Sequence, residues 1–258
     1  MKSLKYWLLV LGILSCFGCS SLIHEDNRGC SFICDSIQYR IEFMSAGCVR
    51  ILSYPEGDTL VTKRLVVDVE KPTFTDYKWE ETEQAFVFCT HELLVSFDKS
   101  DEAFTFREAS TGKLLLKEKD RRTARNFKRS EVGGEQCLEV TQRFIPTDEE
   151  AIYGLGQYQN GIMNYRGKSV LLLQANMDIV NPFLISTNGY GILWDNYSST
   201  KFEDTSEGYS FISEVGDASD YYFVYGKNMD EVVAGYRELT GDVPTVSYTH
   251  LRAHETRG

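Results

Sequence analysis

The stretch Pro182-Phe183-Leu184-Ile185-Ser186-Thr187-Asn188-Gly189-Tyr190-Gly191-Ile192-Leu193-Trp194 decides the fold. Two apolar runs flank Asn188-Gly189, the dipeptide best suited to a tight turn between antiparallel strands. Gly191 to Trp194 reads as a buried strand. It delivers a polar loop, Asp195-Asn196-Tyr197-Ser198-Ser199-Thr200, away from a rigid sheet. Loops held by rigid scaffolds commonly carry function. Asn196, Tyr197 and Ser199 offer hydrogen bonds and one stacking face, and the alternative is a plain polar hairpin end.

Working outward, the period stays mostly two. Tyr39, Ile41 and Phe43 alternate with polar residues, and Val49 to Tyr54 follows before the turn residues Pro55-Glu56-Gly57-Asp58. Leu65 to Val69, Ala85 to Thr90, Leu93 to Phe97, Ala103 to Phe106 and Leu114 to Leu116 read as further strands. Asp98 to Asp101 and Ser110 to Lys113 read as turns between them. Short strands at this spacing predict an all-β antiparallel sandwich, and no βαβ alternation supports a doubly wound sheet. One helix is expected near the end. Asn228 caps it, Glu231 completes a capping box, and Gly241 with Pro244 stops it. Met229, Val232, Val233, Tyr236 and Leu239 would form its apolar stripe, either packed on the sandwich or connecting to a following domain.

The net charge of −11 argues against nucleic-acid binding, which needs a basic face. Acidity suits solubility and neutral ligands such as sugars. Fifteen Tyr and fifteen Phe favour strands and also supply surfaces for stacking on sugar rings. Residues 1–16 read as a lipoprotein signal peptide. Lys2 and Lys5 precede Tyr6 to Leu14, an apolar run too short to span a bilayer. Ile13-Leu14-Ser15-Cys16 has lipobox spacing, so Cys16 is the expected lipidation site, with Cys19 the weaker choice and an ordinary cleaved signal the bland one. Export to the periplasm or outer-membrane surface and a membrane anchor follow.

Residues 17–35 read as an irregular tether, in which Cys30 and Cys34 could close a small disulfide loop. Cys48, Cys89 and Cys137 are expected to be buried thiols. Arg121 to Arg129 is read as a solvated basic loop rather than a docking patch. The acidic groups Glu80/Glu81/Glu83, Asp148/Glu149/Glu150 and Glu203/Asp204 are read as solvated faces, and His91 as a turn residue. His250 and His254 have helical spacing but lack a third ligand, so no metal and no cofactor is expected.

Tyr153-Gly154-Leu155-Gly156-Gln157 is not a dinucleotide loop, since no βα unit surrounds it. Taken in order with Pro182 to Ser186, Gly189-Tyr190-Gly191, Asp220 to Gly226 and Leu239-Thr240-Gly241, it resembles the N-terminal β-sandwich of glycoside hydrolase family 31. That family comprises α-glucosidases and α-xylosidases. Gln157, Asn160-Gly161, Asn164 to Gly167 and Trp194 to Tyr197 are similar to its exported Bacteroidetes-type branch. The resemblance covers roughly Glu149 to Pro244 and implies a galactose-mutarotase-like sandwich over 36–244.

It also implies retaining chemistry by two aspartates in a barrel after the sandwich, which itself contributes no catalytic residue. The loop bearing Asn196, Tyr197 and Ser199 would then border the leaving-group subsite. The oligosaccharide substrate, xyloglucan-type or glucan-type, would bind mainly through that barrel. Residues 245–258 do not continue the pattern and resemble translated adapter DNA, a non-native tail. The expected function is that of a non-catalytic N-terminal fragment of an α-glycosidase. A carbohydrate-binding lipoprotein is the alternative, and a sugar epimerase a third reading that lacks a suitable histidine.

Overall fold

The computed structural model describes residues 23–58, 65–67, 74–121 and 126–241. The strands are β1 (His24–Glu25), β2 (Cys30–Cys34), β3 (Ile37–Ser45), β4 (Cys48–Pro55), β5 (Lys78–Glu81), β6 (Ala85–Cys89), β7 (Leu93–Asp98), β8 (Ala103–Glu108) and β9 (Leu114–Glu118). They continue with β10 (Phe127–Val132), β11 (Glu135–Ile145), β12 (Ile152–Gln157), β13 (Ser169–Leu172), β14 (Ile179–Ser186), β15 (Tyr190–Trp194), β16 (Thr200–Thr205), β17 (Gly208–Gly216) and β18 (Ser219–Tyr225). One helix, α1 (Met229–Thr240), ends the described chain.

Two sheets face each other. The first has eight strands in the order β1-β2-β3-β4-β18-β15-β14-β12. The second has ten, in the order β13-β16-β17-β11-β9-β8-β7-β6-β5, with β10 added beside β11. Alternation puts Phe86, Phe88, Val95, Phe97, Phe104 and Phe106 of the second sheet against Phe32, Tyr39, Ile51, Tyr221 and Phe223 of the first. Phe106 and Phe223 stack across the gap at 4.2 Å and 7°. Trp194 stacks on Phe211 at 5.5 Å. The antiparallel sandwich is therefore the fold, as the hairpin pattern requires.

The first sheet is also covered on its outer face. Helix α1 lays Val232 and Leu239 on Phe183, Leu193, Tyr222 and Val224, and Val67 joins the same cluster. This is why β4, β15 and β18 are buried along nearly their whole length. The helix begins as expected: Asn228 accepts from the Glu231 N–H at 3.0 Å, and Gly241 closes the end at φ 89°. Val233 lies off the stripe and is 40% exposed.

Several expectations need correction. His24–Glu25 and Cys30–Cys34 are strands of the first sheet, so the sandwich starts well before Ser36 and the tether is shorter than 17–35. Cys30 and Cys34 are buried thiols with no disulfide between them. Four residues along one strand separate Cα atoms by about 13 Å, beyond the roughly 7 Å a disulfide can bridge. Cys48 is buried, but Cys89 is exposed and Cys137 half-buried. Leu65 to Val67 forms a bend rather than a strand, and the rest of that predicted strand lies outside the described residues, as do Cys16, Cys19, residues 245–258 and both tail histidines.

Arg121 is 7% exposed, far from solvated, and Asn126 is buried beside it. The Arg121 guanidinium donates to Ser53 at 2.8 Å and to Glu118 and Gln142 at 3.1 Å each. Glu118 is fully buried and also accepts from Gln142 and Tyr221 at 2.8 Å each. Glu150 and Asp204 are likewise buried rather than solvated. Glu150 accepts from the Ser186 hydroxyl, and Asp204 accepts from the Arg166 guanidinium and the Gly167 N–H at 2.7 Å each. In each case polar groups from elsewhere in the chain bond the buried carboxylate, at Asp204 through Oδ2 alone.

Candidate functional site

The loop predicted from sequence leaves β15 at Trp194 and re-enters the second sheet at Thr200, so it bridges the two layers. Its geometry is fixed by hydrogen bonds. The Asp195 N–H donates to the Asp220 carbonyl at 2.9 Å, extending the β15–β18 ladder by one residue. Asn196 accepts at Oδ1 from the Ser198 N–H and hydroxyl at 2.8 Å each, and its amide nitrogen donates to the Val215 carbonyl at 3.0 Å. The Glu214 N–H donates to the Ser199 carbonyl at 2.9 Å. Beneath the loop, the Trp194 ring nitrogen donates to Ser213, which also meets the Thr200 hydroxyl at 2.7 Å. A buried tryptophan thus anchors one end of the loop and β17 staples the other.

These residues line a cleft of about 360 Å³, closed on its other sides by Gln174, Asn181, Pro182, Val66 and Tyr236 of α1. Asn196, Tyr197 and Ser199 all line this cleft. Their roles differ. Asn196 spends its side chain holding the loop. Tyr197 is 53% exposed, and its hydroxyl accepts from the Leu65 N–H at 2.8 Å. Ser199 borders the cleft, half-buried.

The residue that sequence reading passed over is Asp195. Burial pushes its carboxyl up to about 6, and the neighbouring Asp220 charge adds to the rise. A hydrogen bond from Tyr197 and the Arg50 charge pull it partly back. Its Oδ1 is buried with no hydrogen-bond partner among the described residues. Asp220 differs from it. The Arg50 guanidinium donates to both Asp220 oxygens and, through its third nitrogen, to Glu42 at 2.9 Å. Asp195 and Asp220 therefore do not form a working acid–base couple, since Asp220 is sequestered by an ion pair. Among the described residues no group of His, Cys, Asp or Glu is arranged to hold a metal ion.

The strand that carries Tyr153-Gly154-Leu155-Gly156-Gln157 forms the edge of the first sheet next to the cleft. Gly154 and Gly156 do not make a turn there. They make a bulge in the β12–β14 ladder, at φ 100° and 116°. A Cβ on Gly156 would stand 2.0 Å from the Ile179 carbonyl oxygen, so only glycine lets the two backbones approach.

Comparison with known proteins agrees with this architecture. The family model for the glycosyl hydrolase 31 N-terminal galactose mutarotase-like domain matches residues 38–203. An α-xylosidase of Saccharolobus solfataricus is 34% identical over 224 residues, 81% of this chain and 29% of that protein. Alpha-glucosidase 2 of Bacillus thermoamyloliquefaciens is 28% identical over 88% of this chain and 29% of its own length. The crystal structure of a glycoside hydrolase family 31 α-xylosidase from Xanthomonas citri superposes with a TM-score of 0.76 at 20% identity, covering 87% of this chain and 41% of that one. The chain thus spans less than a third of the length of these two curated relatives. By the match of its family model over most of the sandwich, the chain belongs to the N-terminal galactose mutarotase-like domain of glycoside hydrolase family 31.

Proposed function

We propose that this sandwich is the non-catalytic N-terminal portion of a retaining α-glycosidase, acting as an α-xylosidase on xyloglucan-type oligosaccharides or otherwise as an α-glucosidase. The carrying observation is the cleft between the Asp195–Thr200 loop and α1, with Tyr197 exposed at its mouth. The loop is held by both sheets, and the helix that borders the cleft is the last described element. A catalytic barrel following α1 would meet the sandwich here, and Tyr197 with Ser199 would border the outer, leaving-group subsite. Similarity to α-xylosidases supports the sugar assignment. We place the protein outside the cytoplasm, anchored to a membrane through Cys16.

The test joins the sandwich to the barrel encoded in the parent gene. Tyr197→Ala should lower kcat/KM about tenfold on xyloglucan oligosaccharides and leave an aryl α-xyloside nearly unchanged, because only the longer substrate fills the outer subsite. Equal loss on both substrates would mark a folding defect. No loss on either would remove the loop from the substrate path. The sandwich alone should release no p-nitrophenol from α-xyloside or α-glucoside.

A further inference from the structure

The cleft carries a charge that the described residues offset only in part. Asp195 lines it, and the buried Oδ1 of its carboxyl has no partner among the described residues. Among the described residues the guanidinium beside it is that of Arg50, and all three of its nitrogens are committed, two to Asp220 and one to Glu42. The adjacent Asp220 carboxylate adds repulsion. An ionised carboxylate with one oxygen buried and unbonded is costly, so such a group calls for a cationic donor.

The rim around this charge is apolar. Val66 and Leu173 line the cleft and are 40% and 48% exposed, with Tyr197 beside them. Leu171 on β13 and Ile179 on β14 extend the exposed apolar area along the same edge, at 53% and 55% exposed. Large side chains exposed together in this way mark an interaction surface. The described chain leaves α1 beside it, because Tyr236 of α1 closes one wall, and the curated relatives are more than three times as long as the matched part.

We propose that the cleft receives one arginine or lysine side chain, presented on an apolar stretch of the polypeptide that follows α1 in the longer relatives, with the Asp195 carboxylate as its acceptor. This rests on the reading that a further domain follows. A sugar would also supply donors to Asp195, but neutral hydroxyls leave the net charge in place. A cation removes it. Asp195 is then the point of registration between the two domains, and the apolar rim excludes water from the pair.

The whole 258-residue chain can be titrated with n-propylguanidinium, n-butylurea and xylose while backbone amide NMR shifts are followed. Propylguanidinium should saturate at tens of millimolar, with shifts centred on Leu193, Asp195 and Tyr197. Butylurea, which is similar in shape but neutral, should bind at least fivefold more weakly. Affinity for propylguanidinium should rise about tenfold from pH 5 to pH 7.5 and be lost in Asp195→Asn.

Equal binding of butylurea, an unchanged titration in Asp195→Asn, or saturable shifts with xylose alone would overturn the proposal. So would binding that emerges only in a Lys63→Ala/Arg64→Ala variant, since the cation would then come from this chain itself. The wild-type pH series decides the matter even if Asp195→Asn does not fold. None of these readouts requires hydrolysis, so failure here is distinct from failure of the Tyr197 test.

Discussion

Arg50 on β4 and Asp220 on β18 are 170 residues apart and joined by two parallel hydrogen bonds, one of them 2.8 Å long. Both residues are almost fully buried, at 2% and 5% exposed. The pair ties the start of the sandwich to the last strand before α1. Such pairs add little when compared with a well-packed apolar substitute, but losing one partner strands the other in the interior. Arg50→Met should therefore cost about 3–5 kcal/mol at pH 7, because Asp220 loses its guanidinium while Glu42 keeps Arg40 at 2.8 Å. Urea unfolding midpoints check this. A loss below about 1 kcal/mol would mean the carboxylates find water or another cation.

Asp195 sets a pH dependence of the opposite kind. Its carboxyl titrates at about 6 in the folded protein against an ordinary 3.8. Well below pH 3.8 it is protonated in both folded and unfolded chains and costs nothing. As pH rises from about 4 through 6, the unfolded chain releases the proton first, so stability falls. The groups facing Asp195 are Asp220, Arg50, Tyr197 and Tyr222. Asp195→Asn should match the wild type near about pH 3 and be more stable by about 1–3 kcal/mol at pH 7.5. A variant midpoint at or below the wild type at pH 7.5 would refute this.

The bulge in β12 gives a steric prediction. Gly156→Ala places a methyl 2.0 Å from the Ile179 carbonyl oxygen, and Gly154→Ala places one 2.5 Å from that of Phe183, both at positive φ. Backbone must shift in each case, so each substitution should cost more than about 2 kcal/mol. Gly133→Ala, at φ 62° with open space around it, should cost about 1 kcal/mol. Similar melting temperatures for all three would show that β12 and β14 can separate freely.

For the anchor, labelled palmitate fed to a bacterial host should appear on the protein and vanish in Cys16→Ala. Label that persists there but is lost in Cys19→Ala would move the anchor by three residues.

The sequence disclosed the elements whose inward positions are apolar. Phe86 and Phe88 of β6, Val95 and Phe97 of β7, and Tyr190 to Trp194 of β15 are legible because burial and hydropathy coincide. It did not disclose β11, the longest strand, which turns Thr141 and fully buried Gln142 toward partners rather than apolar side chains. Gln142 makes sense only beside Glu118, Arg121 and Ser219, which come from two other places in the chain. Arg121, Glu150 and Asp204 were misread for the same reason: pairing across the fold, not local composition, buries a charge. At the cleft, Tyr197 and Ser199 were legible as a loop on a rigid strand. Asp195 was not, because what distinguishes it is the commitment of Arg50 to another carboxylate.

If the proposed anchor at Cys16 holds, the order of strands in the first sheet limits orientation at the membrane. With Cys16 as the lipid attachment point, residues 17–23 can reach at most about 25 Å before β1 begins at His24. The sheet then extends through seven strand-to-strand steps from β1 to β12, about 34 Å across. Under the proposed anchoring, a protein tethered so briefly at one margin would have few ways to lie. With that sheet upright on the proposed anchor, its β12 margin would face the outside medium as the far end of a short mast, where the proposed oligosaccharide substrate would be met.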